Sequence, residues 1–267
     1  MSSIVTKQGI VHYEVYGRGE PVILLHGWLG SWNYWLKTME ALKKQYRCYA
    51  LDFWGFGDSG KRRDSYDIDD FVSLVEQFME RLGIDAAPIV GHSMGGTVAM
   101  SMALNRPERV SRAIVVGSPV TGDSLHLFLR LAGKPWIASI VWNMPTVLQF
   151  GIRVFSPFVV RNAADWYQMI TRDLSRTTLE AFFTSINSLR YTDLRPQLAR
   201  APRPIMGIYG VNDNVVNPNQ ADIIAKIAPQ SRVKIMTGSG HFPMLDEPDN
   251  FNEQLANFLS SEFVAQN

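Results

Sequence analysis

One cysteine, Cys48, is all the thiol chemistry this 267-residue chain holds. No disulfide can form within it, and its cysteine usage gives no sign of an oxidising compartment. Set in the apolar run Cys48-Tyr49-Ala50-Leu51, the residue reads as core packing. Net charge is also scarce. The 26 lysines and arginines stand against 25 aspartates and glutamates, a balance that leaves no electrostatic footprint for nucleic acid. No cysteine and histidine cluster has metal-ligand spacing and no G-x-G-x-x-G follows a strand, so neither metal nor dinucleotide cofactor is expected. The first residues run directly into strand-like sequence without the apolar core and cleavage site of a secretory leader, which sets the expectation of a cytoplasmic protein. Long unbroken apolar runs are missing too. The greasiest stretch is interrupted by Pro135, Pro145 and Pro157 and holds Asn143 and Gln149, which argues against a membrane-spanning helix.

What the chain does hold is alternation. Strand-like runs near 10–16, 21–25, 46–51, 86–91, 112–117, 204–210 and 232–237 alternate with helical patterns near 34–44, 68–82, 94–105, 217–228 and 249–263. Asp69 to Met79 shows the i, i+3, i+4 spacing of a helix with one buried face. Such alternation predicts an α/β fold with a mostly parallel central sheet covered by helices on both faces. One connection breaks the rhythm. More than eighty residues separate the strand ending at Gly117 from the one starting at Pro204, against the usual connection of about 2–6 residues. The expectation is a core formed by residues 1–119 and 199–267, carrying a helical cap insertion over 120–198.

Gly91-His92-Ser93-Met94-Gly95 places a serine between a short apolar strand, Ala87-Pro88-Ile89-Val90, and a helix lined with small residues. This is the G-x-S-x-G frame of a nucleophile elbow, whose glycines let strand and helix approach around a strained serine. A serine hydroxyl needs a base. Of the five histidines, His12 alternates with apolar residues on an early strand and reads as structural or surface. His92 sits beside the serine and cannot fold back onto it, His126 lies in an apolar segment, and His26, before Gly27 in another loop, reads as a loop organiser. His241, in Gly238-Ser239-Gly240-His241 directly after a late strand, is the candidate base. The base in turn needs an acceptor. Asp213 follows the apolar strand Pro204 to Gly210 at the same sheet end, although it also suits a turn in Val211-Asn212-Asp213-Asn214. Asp52 is expected to brace the Phe53 to Gly57 loop, and Asp246 to cap the helix beginning near Pro248. For the oxyanion, the backbone N–H groups of Met94, at the helix N-terminus, and of Trp28, in His26-Gly27-Trp28-Leu29-Gly30, are the candidate donors.

Taken together, these segments, with Asp52-Phe53-Trp54-Gly55-Phe56-Gly57-Asp58-Ser59 and Gly240-His241-Phe242-Pro243, resemble the esterase and lipase type of α/β-hydrolase over nearly the whole chain. The resemblance implies a serine hydrolase. Ser93 separates the chain from similar epoxide hydrolases and haloalkane dehalogenases, which place aspartate there. It implies cleavage of carboxylic esters with an apolar acyl or aryl part through an acyl-enzyme. A carbon–carbon bond hydrolase, a thioesterase or a perhydrolase on the same triad remains open, as does a slow-turnover ligand receptor on this scaffold. Similar carbon–carbon hydrolases carry tryptophan after the histidine, where Phe242 stands here.

The cap segment holds most of the clues to substrate. Aromatic residues recur from Phe128 to Phe183, no acid occurs from Ser124 to Ala164, and Arg130, Lys134, Arg153 and Arg161 are basic. These aromatics either seat the cap on the core or line an apolar pocket, with His26, Trp142, Phe155 and Phe242 as the candidate substrate contacts. Apolar surface with basic residues also suits a weak contact with an anionic membrane surface.

Overall fold

The computed structural model describes residues 2–61, 65–132, 134, 136, 142–228 and 230–261. Eight strands form one sheet: β1 (Ser2–Thr6), β2 (Gly9–Gly17), β3 (Glu20–Leu25), β4 (Tyr46–Leu51), β5 (Ala87–His92), β6 (Val110–Val116), β7 (Ile205–Gly210) and β8 (Ser231–Met236). Their order is β1-β2-β4-β3-β5-β6-β7-β8. β2 runs antiparallel to β1 and β4, and every pair from β4 to β8 is parallel. The central strands are buried on both faces, as Val22–Leu25, Cys48–Leu51 and all of Ile205–Gly210 show. Continuous apolar runs of this kind need helices on both sides. The edge strands β1 and β8 are largely half-buried or exposed instead, and Arg232 and Lys234 blunt the β8 edge. Burial pushes the Cys48 thiol on β4 up to about 12, so this cysteine stays a neutral packing group.

Helices α1 (Leu36–Leu42), α2 (Ile68–Leu82) and α3 (Met94–Asn105) follow β3, β4 and β5 in the core. α2 shows how local sequence sets the element. Asp67 and Asp70 form a reciprocal capping box, Phe71, Leu74, Val75, Phe78 and Met79 bury one face, and Gly83 ends the helix at φ 66°. Between β6 and β7 the regular elements are mainly helical: α4 (Leu127–Ala132), α5 (Pro145–Phe155), α6 (Ala163–Leu174), α7 (Leu179–Tyr191) and α8 (Arg195–Leu198). Pro135 and the Phe128 side chain, both singled out from sequence, lie outside the described residues. α9 (Gln220–Ile227), α10 (Pro243–Asp246) and α11 (Pro248–Ser260) complete the chain; residues 262 and 263, expected as its helical end, are not among those described. No helix among the described residues is long and apolar enough to cross a membrane.

The mainly helical segment between β6 and β7 sits over loops at the carboxyl ends of the strands. Trp28 Nε1 donates to the Phe182 carbonyl (2.8 Å), Thr178 N to the Gly55 carbonyl (3.2 Å) and Asn214 Nδ2 to the Phe158 carbonyl (3.0 Å). Those loops follow β3, β4 and β7, so one end of the sheet is roofed.

Candidate active site

Ser93 stands between β5 and α3 at φ 51° and ψ −117°, outside the regions open to most side chains. Close packing holds it there. A Cβ on Gly91 would run into the backbone of Gly95, and one on Gly95 would lie 2.5 Å from the Leu25 carbonyl oxygen. The Ser93 N–H donates to the Val116 carbonyl (2.8 Å), and the Ser93 carbonyl accepts from Gly96 N (3.0 Å) and Thr97 N (3.2 Å). The bonds to β6 and to the first helical turn fix the strained residue from both sides.

His241 arrives on the loop after β8. Its Nδ1 lies 2.8 Å from Asp213 Oδ2, and the pair is enclosed. The other Asp213 oxygen accepts the N–H groups of Val215 (2.8 Å) and Val216 (2.9 Å), which fixes the carboxylate as an acceptor for a proton on Nδ1. A neutral imidazole with its proton on Nδ1 has Nε2 as its acceptor, the tautomer a general base requires. Gly117, at φ 55° just past β6, makes room for the pair: a Cβ there would sit 3.2 Å from His241 Nδ1 and 3.3 Å from Asp213 Oδ2. Since Val116 binds the Ser93 amide and a side chain at Gly117 would press on both partners, serine, histidine and aspartate gather around the end of β6.

The histidine loop is clamped on every side. His241 N donates to the Val159 carbonyl of the insertion (3.1 Å), and the His241 carbonyl accepts from His92 Nε2 (2.9 Å). Burial, aided by neighbouring His241, holds the His92 imidazole well below its ordinary titration range, so it stays neutral and can serve as that donor. The expectation that Asp246 caps the helix from Pro248 is not met. Its oxygens accept Gly240 N (2.9 Å) and Arg161 N (2.7 Å), while the cap position belongs to Glu247, which makes no side-chain cap bond. Asp246 lies on the short turn α10 next to the histidine loop, where those two amides present nearer donors. Glu247 is bound to Gly238 N and Ser239 Oγ.

The loop after β3 also lies against Ser93. His26 is fully buried; its Nε2 accepts Phe53 N (3.0 Å) and its Nδ1 donates to the Gly27 carbonyl (2.7 Å), so it ties two loops together. Leu29 has φ 58° and is, with Ser93, one of only two non-glycine residues at positive φ among the described residues. Gly27 is needed where it is, because a Cβ there would lie 2.7 Å from His92 Nδ1 and 3.1 Å from Ser93 Cβ. Among the described residues, no acceptor is bonded to the backbone N–H of Trp28 or of Met94. Asp52 braces the next loop as expected: it accepts Trp32 N (2.7 Å) and Asp58 N (2.9 Å) and pairs with His12 Nδ1 (2.8 Å). Although burial acts to raise it, these bonds hold its carboxyl below the usual range. His12, Asp52 and Asp58 have ligand-type atoms within 4.8 Å of one another, but those of Asp52 are already committed to this brace.

Near the loop after β3, the Trp28 and Phe182 rings lie tilted against each other (centroids 4.7 Å apart), and Trp142 meets Phe182 edge-on (5.5 Å). Phe242 is buried against His92, Tyr34, Trp166 and His241 and supports the histidine from below. Three candidate contacts are not brought to this wall, Phe242 lying among the rings just named. Both His26 nitrogens are spent on backbone groups, and Phe155 is 55 % exposed with Phe158 as its ring neighbour.

Sequence reading missed one contact entirely. Asp173, on α6, is buried against the loop that follows β3 and accepts Ser31 Oγ (2.8 Å), with Arg172 (3.2 Å) beside its other oxygen. Its only signal in the sequence is an acid within a half-apolar helix. Burial pushes the carboxyl up to about 6, against the pull of the Ser31 hydroxyl and the Arg172 guanidinium. A carboxyl that binds protons more tightly folded than unfolded stabilises the fold below pH about 4, and that contribution is lost as pH rises through about 6. Asp173→Asn, which keeps an acceptor for Ser31, is therefore expected to remove a slope of up to about 1.4 kcal/mol per pH unit between those limits. Urea midpoints of both proteins at pH 5 and 7.5 check this; parallel pH dependence would show that Asp173 is not the titrating group.

Comparison with known proteins agrees with this fold. The family described as alpha/beta hydrolase fold matches residues 20–168, more than half of the chain. A pimeloyl-[acyl-carrier protein] methyl ester esterase of Nitrosomonas europaea is 27 % identical over 256 residues, covering 90 % of this chain and 96 % of the relative. Among solved structures, a hydrolase from Pseudomonas aeruginosa superposes with TM-score 0.85 at 22 % identity, covering 97 % of this chain and 98 % of that one. An esterase from Exiguobacterium antarcticum gives 0.84 at 22 % identity, covering 97 % and 99 %.

Proposed function

Because the chain belongs to the alpha/beta hydrolase family, we propose that it is a serine esterase cleaving carboxylic esters with an apolar acyl or aryl part. The observation that carries this reading is the strained Ser93 at the same sheet end as the buried His241–Asp213 pair. The esterase named among its relatives, which covers 90 % of the chain, supports the choice of ester over other bonds.

In this mechanism His241 Nε2 takes the Ser93 hydroxyl proton as Oγ attacks the ester carbonyl carbon. The carbonyl electron pair moves onto oxygen, and the N–H groups of Trp28 and Met94 hold the resulting oxyanion. When the tetrahedral intermediate collapses, the carbon–oxygen bond to the alcohol breaks and imidazolium Nε2–H protonates the leaving alkoxide. Water, deprotonated by the same nitrogen, then attacks the acyl-enzyme and releases the acid with Ser93 restored. Asp213 stabilises the imidazolium in both half-reactions. The aromatic wall of Trp28, Phe182 and Trp142 is the surface against which the apolar part of the ester lies.

Hydrolysis of p-nitrophenyl esters from acetate to palmitate tests the reading. Wild-type protein is expected to turn over the series, and Trp142→Ala to lower kcat/KM for long chains several-fold relative to acetate, since each methylene leaving apolar contact is worth about 0.8 kcal/mol. An unchanged chain-length profile with a lowered Tm would leave Trp142 as packing alone. Absence of turnover together with tight ligand binding would favour the receptor alternative, and cleavage of diketones or thioesters in preference to esters would move the assignment to those reactions.

A further inference from the structure

Nine of the fourteen exposed large apolar side chains among the described residues lie between Leu127 and Phe158, so the apolar surface is concentrated on one part of the insertion. α5 is its centre. Leu148 and Ile152, four residues apart, pack inward against the core, while Val147, Phe150 and Val154, spaced by three and four, form a second stripe facing out. A helix apolar on both sides ordinarily lies inside a protein. Here no residue of α5 is buried, and Phe150 is 68 % exposed; Trp136 and Phe158 extend the surface at 64 % and 62 %.

Charge on this segment is one-sided. From Ser124 to Ala164 there is no acid and there are four bases, Arg130, Lys134, Arg153 and Arg161, although the whole chain carries only +1. Arg153 is exposed and borders the outer stripe, three residues from Phe150 and one from Val154. An acidic protein partner would satisfy the bases but has little need of this much exposed apolar and aromatic surface. A bilayer with anionic headgroups satisfies both, because the rings enter the acyl boundary while the cations remain at the phosphates. The face also adjoins the reaction centre: Phe158 precedes Val159, whose carbonyl accepts the His241 amide.

We propose that the outer face of α5, with Trp136 and Phe158, is a docking surface for an anionic lipid bilayer that sets the active-site mouth at the membrane interface. The inference rests on the insertion's surface and stands apart from the ester assignment.

Flotation of the full-length protein with vesicles of phosphatidylglycerol and phosphatidylcholine in equal parts, against phosphatidylcholine alone, tests it. Binding is expected on the anionic vesicles, weakened about tenfold or more by high salt and by Arg153→Glu. Phe150→Asp with Val154→Asp should abolish it, with hydrolysis of p-nitrophenyl butyrate unchanged. Flotation of Ser93→Ala should match wild type, which separates this result from any failure of the esterase reading. No flotation, or equal flotation on neutral vesicles, overturns the proposal. So does a dimer in light scattering that Phe150→Asp dissociates while vesicles go unbound, which would make the face a contact between copies of this chain. Binding of an acidic acyl carrier protein through Arg153 without vesicle binding overturns it in favour of a protein partner.

Discussion

Ser93→Ala is expected to lower ester hydrolysis by about 10³-fold or more and to abolish fluorophosphonate labelling, with the fold unchanged. The reason lies in how the residue is held. Its strained backbone is fixed by its amide bond to Val116, by its carbonyl bonds to Gly96 and Thr97, and by the close approach of Gly91 and Gly95, none of which involves the hydroxyl. Removing Oγ therefore removes the nucleophile and leaves the elbow standing. Circular dichroism and Tm establish that the variant is folded, and mass spectrometry of the labelled protein locates the adduct. Labelling of folded Ser93→Ala would assign the chemistry to another residue.

Asp213→Asn is expected to lower kcat by about 10²–10⁴-fold with little change in structure. The carboxylate accepts three hydrogen bonds, from His241 Nδ1 and from the amides of Val215 and Val216. An amide in its place can turn its oxygen to the two backbone donors, and it then offers an NH₂ to His241 Nδ1. The imidazole must answer with its other tautomer, which puts the proton on Nε2 and disables the base. Asp246→Asn and Asp52→Asn should be much milder toward kcat and act through stability, since their oxygens hold loop amides. Steady-state kinetics across pH on the three variants decides the matter; a folded Asp246→Asn that is the most damaged in kcat would overturn the choice of Asp213.

Some of this was open to a reader of the sequence because it depends on short-range chemistry. Gly91-His92-Ser93-Met94-Gly95, between an apolar strand and a helix of small residues, predicts a strained strand-to-helix turn, and the structure places Ser93 at φ 51° in that turn. The apolar runs at 21–25, 46–51 and 204–210 predict buried parallel strands, and they pair in the central sheet. Asp69 to Met79 repeats its apolar residues at helical spacing and lies within α2. In each case one short segment, about a dozen residues at most, carries the signal.

Other features needed the fold. Asp246 looks like a helix cap in sequence, but residue spacing carries no information on the amides of Gly240 and Arg161 that reach it, the latter from 85 positions away. His26 reads as a loop organiser in sequence, but only the fold shows that Phe53 N is what its second nitrogen meets. Asp173 meets Ser31 across 142 residues of chain, a contact set by the seating of the insertion and invisible to any local pattern. Even α5 is ambiguous in sequence, because apolar residues on both its faces fit a buried helix as well as a surface one. What the sequence alone determined is the alternating α/β order, the elbow and which residue types could form a base and its acceptor, since these follow from backbone sterics and apolar periodicity. The tertiary structure alone decided which distant amides each carboxylate and imidazole would meet and which apolar face would stay in solvent, because those outcomes depend on long-range packing and on the distances it imposes.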